Sequence, residues 1–169
     1  MSNESHSVLF VCTANRIRSV MAEALFRELV QNADPDGIWH IDSAGTWAQD
    51  GLPPMPFATQ AMAQRGVDVS AHRSRSVDHI PLGEYALILV MERGHKESLS
   101  WELPELKDRI FLISEMTNEH YDVTDPVSGP IHDHVHAADV LNQVLVDGYD
   151  RIYELSLDQG SGDSTENAE

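Results

Sequence analysis

The 169-residue sequence predicts an α/β protein: a three-layer fold with a four-stranded parallel sheet and helices on both faces. Three observations carry that expectation. Four short β-rich runs alternate with segments of helical periodicity, which is the pattern of βαβ units. Two of the runs are almost continuously apolar, as strands covered on both faces must be. No apolar stretch reaches the roughly 20 residues of a membrane span, while a chain of this length can close one sizeable core.

The first strand is expected over SVLFVC (7–12). A helix follows, because Met21, Leu25 and Leu29 recur at four-residue intervals and share one helical face. The second strand is IWHIDSA (38–44), which mixes polar and apolar positions. Ala58, Met62 and Arg65 mark a weaker helix that ends at Gly66, a suitable C-terminal cap. The third strand is YALILVM (85–91), followed by a short helix over His95–Leu103 that Pro104 closes. RIFLIS (109–114) supplies the fourth strand. The last helix is expected from about His136 to Leu157, with Val140, Val144, Ile152 and Leu155 near one face.

Two stretches, Gly45–Phe57 and Asn118–His134, are rich in turn chemistry and poor in periodicity. Long loops in compact domains are often functional. Residues 1–157 are expected to form the single domain, and 158–169 (DQGSGDSTENAE) an acidic, disordered tail. The N-terminal segment lacks the basic and apolar regions of a secretory signal, so a cytoplasmic location is expected.

The formal net charge is −17, and nine of the eleven basic residues are arginine. Such a surface repels nucleic acid and anionic membranes, so neither is an expected partner. Solubility and adaptation to a salty cytoplasm explain the charge equally well. The single cysteine, Cys12, excludes an internal disulfide, a C-x-x-C redox pair and a multi-cysteine zinc site. A lone cysteine is more often an inert core residue than a nucleophile, so its surroundings decide the matter.

Cys12 ends the first strand, at the carboxyl edge where α/β sheets bind ligands. Thr13, Ala14, Asn15, Arg16 and Ile17 then lead into Arg18 and Ser19, where the helical pattern begins. Backbone N–H groups of such a strand-to-helix loop form an anion-binding concavity with the helix N-terminus. Arg18 adds a planar fork that matches two phosphate oxygens. The same surroundings favour a thiolate over a thiol. One loop would therefore activate a nucleophile and hold the anion it attacks.

This C-x5-R-S pattern, placed after an apolar strand and before a helix, resembles the phosphate loop of cysteine-dependent phosphatases. Its position near the N-terminus narrows the resemblance to the low-molecular-weight protein tyrosine phosphatases. Asp42-Ser43-Ala44-Gly45-Thr46-Trp47 resembles that family's S-A-G-T segment, and Val69-Ser70-Ala71-His72-Arg73-Ser74-Arg75 its H-x-[SA]-R segment. Leu87–Met91 resembles its third strand, and Asp125-Pro126 the D-P pair that carries its general acid. The matches run in order over residues 7–157.

The resemblance implies two-step phosphoryl transfer. Cys12 would be the nucleophile, Arg18 and the loop amides the transition-state clamp, and Asp125 the general acid and then base. Ser19 would donate to the Cys12 sulfur. Asn15, Ser43 and His72 would brace the loop, and Trp47 would wall the pocket for a phosphotyrosine ring. No metal and no cofactor is implied, since the arginine and amides supply the positive charge. The implied partner is a phosphorylated protein or a small phosphoester, acted on by a monomer.

The sequence also departs from the family. The usual glycine of the loop is Ala14. The position that is commonly Ile in the tyrosine phosphatases, and Thr in the related protein-arginine phosphatases, is Arg16. Arg16 would either stand at the pocket rim, favouring acidic substrates over a phosphorylated guanidinium, or point to solvent or pair with a carboxylate. The family's second cysteine is Ile17, so oxidised Cys12 cannot be trapped as an internal disulfide. The two further cysteines of the arsenate reductases with this fold are missing too. Val127-Ser128-Gly129 replaces the aromatic residues that often follow the D-P pair. Three alternatives stay open. They are a phosphatase for phosphoarginine or small phosphoesters, a metal-dependent hydrolase using His132, His134 and His136, and a non-catalytic anion-binding relative.

Overall fold

The computed structural model describes residues 4–159. Four strands, β1 (Ser5–Cys12), β2 (Ile38–Gly45), β3 (Leu87–Val90) and β4 (Ile110–Leu112), form one parallel sheet in the order β2-β1-β3-β4. The expected fold class is the observed one. Val8 to Val11 have no solvent exposure, and neither do Leu87 to Val90. The apolar runs are continuous because both faces of these strands are covered.

Side-chain alternation splits the core into two layers. Val8, Phe10, Cys12, Leu87 and Leu89 share one cluster with Met21, Leu25 and Phe26 of α1 (Arg18–Ala33). Met62 of α2 (Pro56–Gln64) and Leu141 of α4 (Ile131–Asp147) complete that side. Leu9, Val11, Ile88 and Val90 face the other way, onto Leu99 of α3 (Arg93–Glu102) and Leu106 of a 3-10 turn over Pro104–Arg109. Each fully buried side chain of this size contributes roughly 1.5–3 kcal/mol.

Gly66 ends α2 as expected, with φ of 75° and its N–H on the Ala63 carbonyl at 2.9 Å. The end of the chain differs from the expectation. The helix anticipated over 136–157 is two helices, α4 and α5 (Tyr149–Leu155), broken at Gly148. A Cβ there would meet Met116 Cβ and the Val144 carbonyl oxygen at 2.8 Å each, so the chain passes too close to its neighbour for a longer side chain. α4 also starts five residues early, because Pro130 sets its N-cap and Asp133 lies in its first turn, where a carboxylate suits the helix dipole. Of the segment 158–169, residues 160–169 lie outside the described residues. Asp158 is tied to β1, receiving hydrogen bonds from the Ser5 and Ser7 hydroxyls.

β1 lies between β2 and β3, so the chain reverses direction of travel across the sheet at β1. That is the switch point at which open α/β sheets bind ligands. Cys12 is the last residue of β1.

Candidate active site

The loop after β1 is short and heavily braced. The Cys12 carbonyl accepts from Thr46 N–H and the Thr13 carbonyl from Trp47 N–H, each at 2.9 Å. Asn15 takes the left-handed conformation, φ 56°, which asparagine tolerates better than most residues. Ala14 has no such angle, so alanine fits where the family has glycine.

Asn15 is fully buried, and its amide is fully used. Nδ2 donates to Ser19 Oγ at 2.8 Å and to Ser43 Oγ at 2.9 Å, while Oδ1 accepts from Arg75 N–H at 2.9 Å. His72 Nε2 donates to the Asn15 carbonyl at 2.9 Å. Asn15, Ser43 and His72 thus meet in one network under the loop. Ser19 Oγ lies 2.9 Å from Cys12 Sγ. With Asn15 donating to that oxygen, the Ser19 hydroxyl proton is directed at the sulfur.

Arg18 opens α1 and is 1% exposed. Nη1 donates to the Val123 carbonyl at 2.7 Å and lies 3.1 Å from Glu92 Oε2. Nη2 lies 3.5 Å from Asp125 Oδ2 and 3.5 Å from Thr13 Oγ1. The segment carrying Asp125 is itself pinned to the end of β3, since Val123 N–H donates to the Met91 carbonyl at 2.8 Å. Asp125 also caps its own turn, accepting from Val127 N–H at 3.1 Å.

Glu92 and His95 complete the surroundings of Arg18. Nδ1 of His95 accepts from the Glu92 N–H at 3.1 Å at the start of α3. The ring proton of the neutral imidazole then sits on Nε2, which faces Thr13 Oγ1 at 2.8 Å and Glu92 Oε2 at 3.4 Å. Burial and, after it, the nearby Arg18 charge hold the His95 pKa below its usual value. Neither residue emerged from the sequence, although both directly follow the third apolar run, at the same carboxyl edge as Cys12.

Beside these groups lies a cavity of about 220 Å³, lined by Cys12, Ala14, Arg16, Ile17, Arg18, Met55, Asp125 and Val127. Its apolar side walls are Met55 and Val127. Trp47 does not line it: the expected aromatic wall is an indole 87% exposed, beside the loop rather than in the cavity. Its backbone bond to Thr13 fixes where the residue starts, and no packing draws the ring inward. Arg16 does stand at the mouth. Nε donates to the Pro53 carbonyl at 2.8 Å, and no carboxylate lies in ion-pair range among the described residues.

The histidine run is not assembled into a site. In α4 each residue turns by about 100°, so alternate positions diverge. His132 and His136 are exposed, whereas His134 is buried, donates to the Pro130 carbonyl at 3.1 Å and packs edge-on to Phe57. Among the described residues, no three His, Cys, Asp or Glu side chains are placed to hold one metal ion.

The family model described as low molecular weight phosphotyrosine protein phosphatase matches residues 7–152. A protein-arginine-phosphatase of Geobacillus stearothermophilus is 33% identical over 83% of this chain and 91% of its own. A probable low molecular weight protein-tyrosine-phosphatase of Ralstonia nicotianae is 33% identical over 71% and 77%. The crystal structure of a low molecular weight protein tyrosine phosphatase from T. tengcongensis superposes with a TM-score of 0.80 at 33% identity, covering 86% of this chain and 99% of that one. The loop after β1, the network beneath it and these likenesses lead to one assignment: the chain belongs to the low molecular weight phosphotyrosine protein phosphatase family.

Proposed function

We propose that this chain is a cysteine-dependent phosphomonoester hydrolase acting on protein phosphotyrosine through a phosphocysteine intermediate. The observation that carries the reading is convergence: Cys12 Sγ, the Arg18 guanidinium and the Asp125 carboxyl border one cavity of about 220 Å³. In the first step the Cys12 sulfur attacks phosphorus and the P–O bond to the leaving group breaks. The departing oxygen takes the proton of Asp125. Arg18 and the loop N–H groups hold the equatorial oxygens, where charge accumulates. In the second step Asp125 removes a proton from water, which attacks phosphorus and breaks the S–P bond. Phosphate leaves and the thiolate, accepting from Ser19, is restored.

Phosphotyrosine suits the side walls, because Met55 and Val127 offer apolar contact to a ring. Trp47 lends a further surface only outside the cavity. The Geobacillus relative favours a second reading, phosphoarginine. Arg16 opposes it, since a substrate guanidinium would meet a like charge at the mouth. A nucleophilic thiol needs a reducing compartment, which supports action in the cytoplasm.

The test is turnover of p-nitrophenyl phosphate, phosphotyrosine peptides and phosphoarginine by freshly reduced protein. Activity should survive EDTA and vanish in Cys12→Ser. Turnover retained by Cys12→Ser, or none by the wild type, overturns the proposal. Faster hydrolysis of phosphoarginine than of phosphotyrosine peptides moves the reading to its alternative.

A further inference from the structure

Arg16 and Arg18 are two residues apart and border the same cavity, yet their charges are managed in opposite ways. Arg18 is buried and faces two carboxylates, Glu92 at 3.1 Å and Asp125 at 3.5 Å. Arg16 is partly exposed and faces none within 4 Å among the described residues. It is nonetheless held in place. Its carbonyl accepts from Met55 N–H at 3.0 Å, and its Nε donates to the Pro53 carbonyl at 2.8 Å. The Arg16 backbone and the Nε edge of its guanidinium are therefore both anchored to the 53–55 loop.

That anchor uses one edge of the guanidinium. The two terminal nitrogens have no hydrogen-bond partner among the described residues. A guanidinium forms its best contacts as a fork on a carboxylate or phosphate. Arg27, Arg65 and Arg75 pair with carboxylates, and Arg73, Arg93, Arg109 and Arg151 spend terminal guanidinium nitrogens on carbonyl or amide oxygens, whereas Arg16 does neither among the described residues. Tethered through Nε on the cavity that Cys12 also lines, the guanidinium keeps both terminal nitrogens available to an anion.

From this we infer that Arg16 is a specificity-determining residue that selects phosphomonoesters bearing a second anionic group next to the phosphoryl. Arg18 and the loop take the phosphoryl, and Arg16 takes the second anion. The chemistry is the same whether that anion is a carboxylate flanking a phosphotyrosine or part of a small aryl phosphate. The inference rests on the phosphatase reading for its site, but its readout is a ratio that does not require turnover.

The experiment uses two matched pairs. One is a phosphotyrosine peptide with glutamate on both sides of the phosphotyrosine, against the same peptide with glutamine. The other is 3-carboxyphenyl phosphate against phenyl phosphate. kcat/KM is measured for wild type, Arg16→Gln and Arg16→Lys. Calorimetric titration of Cys12→Ser, with and without Arg16→Gln, gives the same ratios as affinities if turnover is absent. Taking ratios within one variant cancels any general loss caused by the substitution.

The wild type should favour the charged member about fivefold, the worth of a well-placed, partly exposed ion pair. The preference should lie in KM and shrink as salt rises. Arg16→Gln should bring the ratio to about one, and Arg16→Lys should keep part of it. A preference in the peptide pair alone identifies an acidic segment as the source of the anion, and one in the aryl pair alone a small phosphoester. A wild-type ratio near one in both pairs, or a ratio that Arg16→Gln leaves unchanged, overturns the inference.

Discussion

Gly45→Ala should damage catalysis without touching any reacting group. Gly45 pairs with Cys12 in the β1–β2 ladder. A Cβ there would lie 2.3 Å from the Thr13 carbonyl oxygen, 2.9 Å from Asn15 N and 2.9 Å from Ala48 Cβ. A tolerable C···O approach is about 3.3 Å, so Thr13 must retreat by about 1 Å. Thr13 and Asn15 belong to the loop that would hold the phosphoryl group, and the two atoms met there are backbone, which cannot swing aside as a side chain does. Overpacking of this kind costs about 1–3 kcal/mol. A displacement of 1 Å at a reacting centre costs about 100-fold in rate. The assay pairs urea unfolding with kcat/KM on p-nitrophenyl phosphate. Gly83→Ala is the control, because a Cβ there meets nothing within 4 Å, and its stability should stay within about 0.5 kcal/mol of wild type. Wild-type kcat/KM in Gly45→Ala would refute the claim that this glycine sets the loop's position.

Asn15→Ala should lose about 3 kcal/mol in urea unfolding, from the abandoned Arg75 N–H, the lost serine contacts and the left-handed angle. Asn15→Gly, which accepts that angle, should lose less; an alanine variant as stable as the glycine one contradicts this account. Asp125→Asn should lower kcat about 100-fold on phosphotyrosine peptides and less on substrates with acidic leaving groups, read from a leaving-group series. A uniform loss across that series would remove Asp125 as the proton donor. His95 is held below its ordinary pKa in the fold, so the fold favours its neutral form. Its contribution is complete above about pH 6.5 and is lost as pH falls below that value. Melting curves from pH 8 to pH 5 should show a smaller acid loss in His95→Gln than in wild type; parallel curves would sink the idea. Peroxide should inactivate the protein with poor recovery by thiols, because Ile17 stands where a second cysteine would trap the oxidised sulfur. Full recovery of activity in a thiol-rescue assay would count against it.

What was legible in the sequence, and what was not, follows from how far each contact travels along the chain. The first and third strands were readable because burial on both faces leaves a continuous apolar run, and the other two because β-rich runs alternate with helical segments. Cys12, Arg18 and Ser19 were readable because a strand, a loop and a helix N-terminus in direct succession can only fold back on one point. Glu92, the Val123 carbonyl and the Pro53 carbonyl were not. Each reaches the loop through the strand order or an irregular segment, and no local pattern marks which carbonyl a guanidinium will find. The histidine run left a metal site open as an alternative for a related reason. Alternate spacing converges only on a strand, and the segment is a helix begun by Pro130. Trp47 shows a further limit, since its sequence neighbours place the backbone beside the loop while nothing in them turns the indole inward. The same distinction separates the two arginines. Arg18 sits in the loop by succession alone, so its position could be read from six residues. Arg16 acquires its orientation from Pro53, 37 positions away. The proposed chemistry thus rests on a local motif, while the proposed selectivity rests on a long-range tether. Substitutions in the 53–55 loop should accordingly shift selectivity between charged and neutral phosphoesters before they reduce turnover of either.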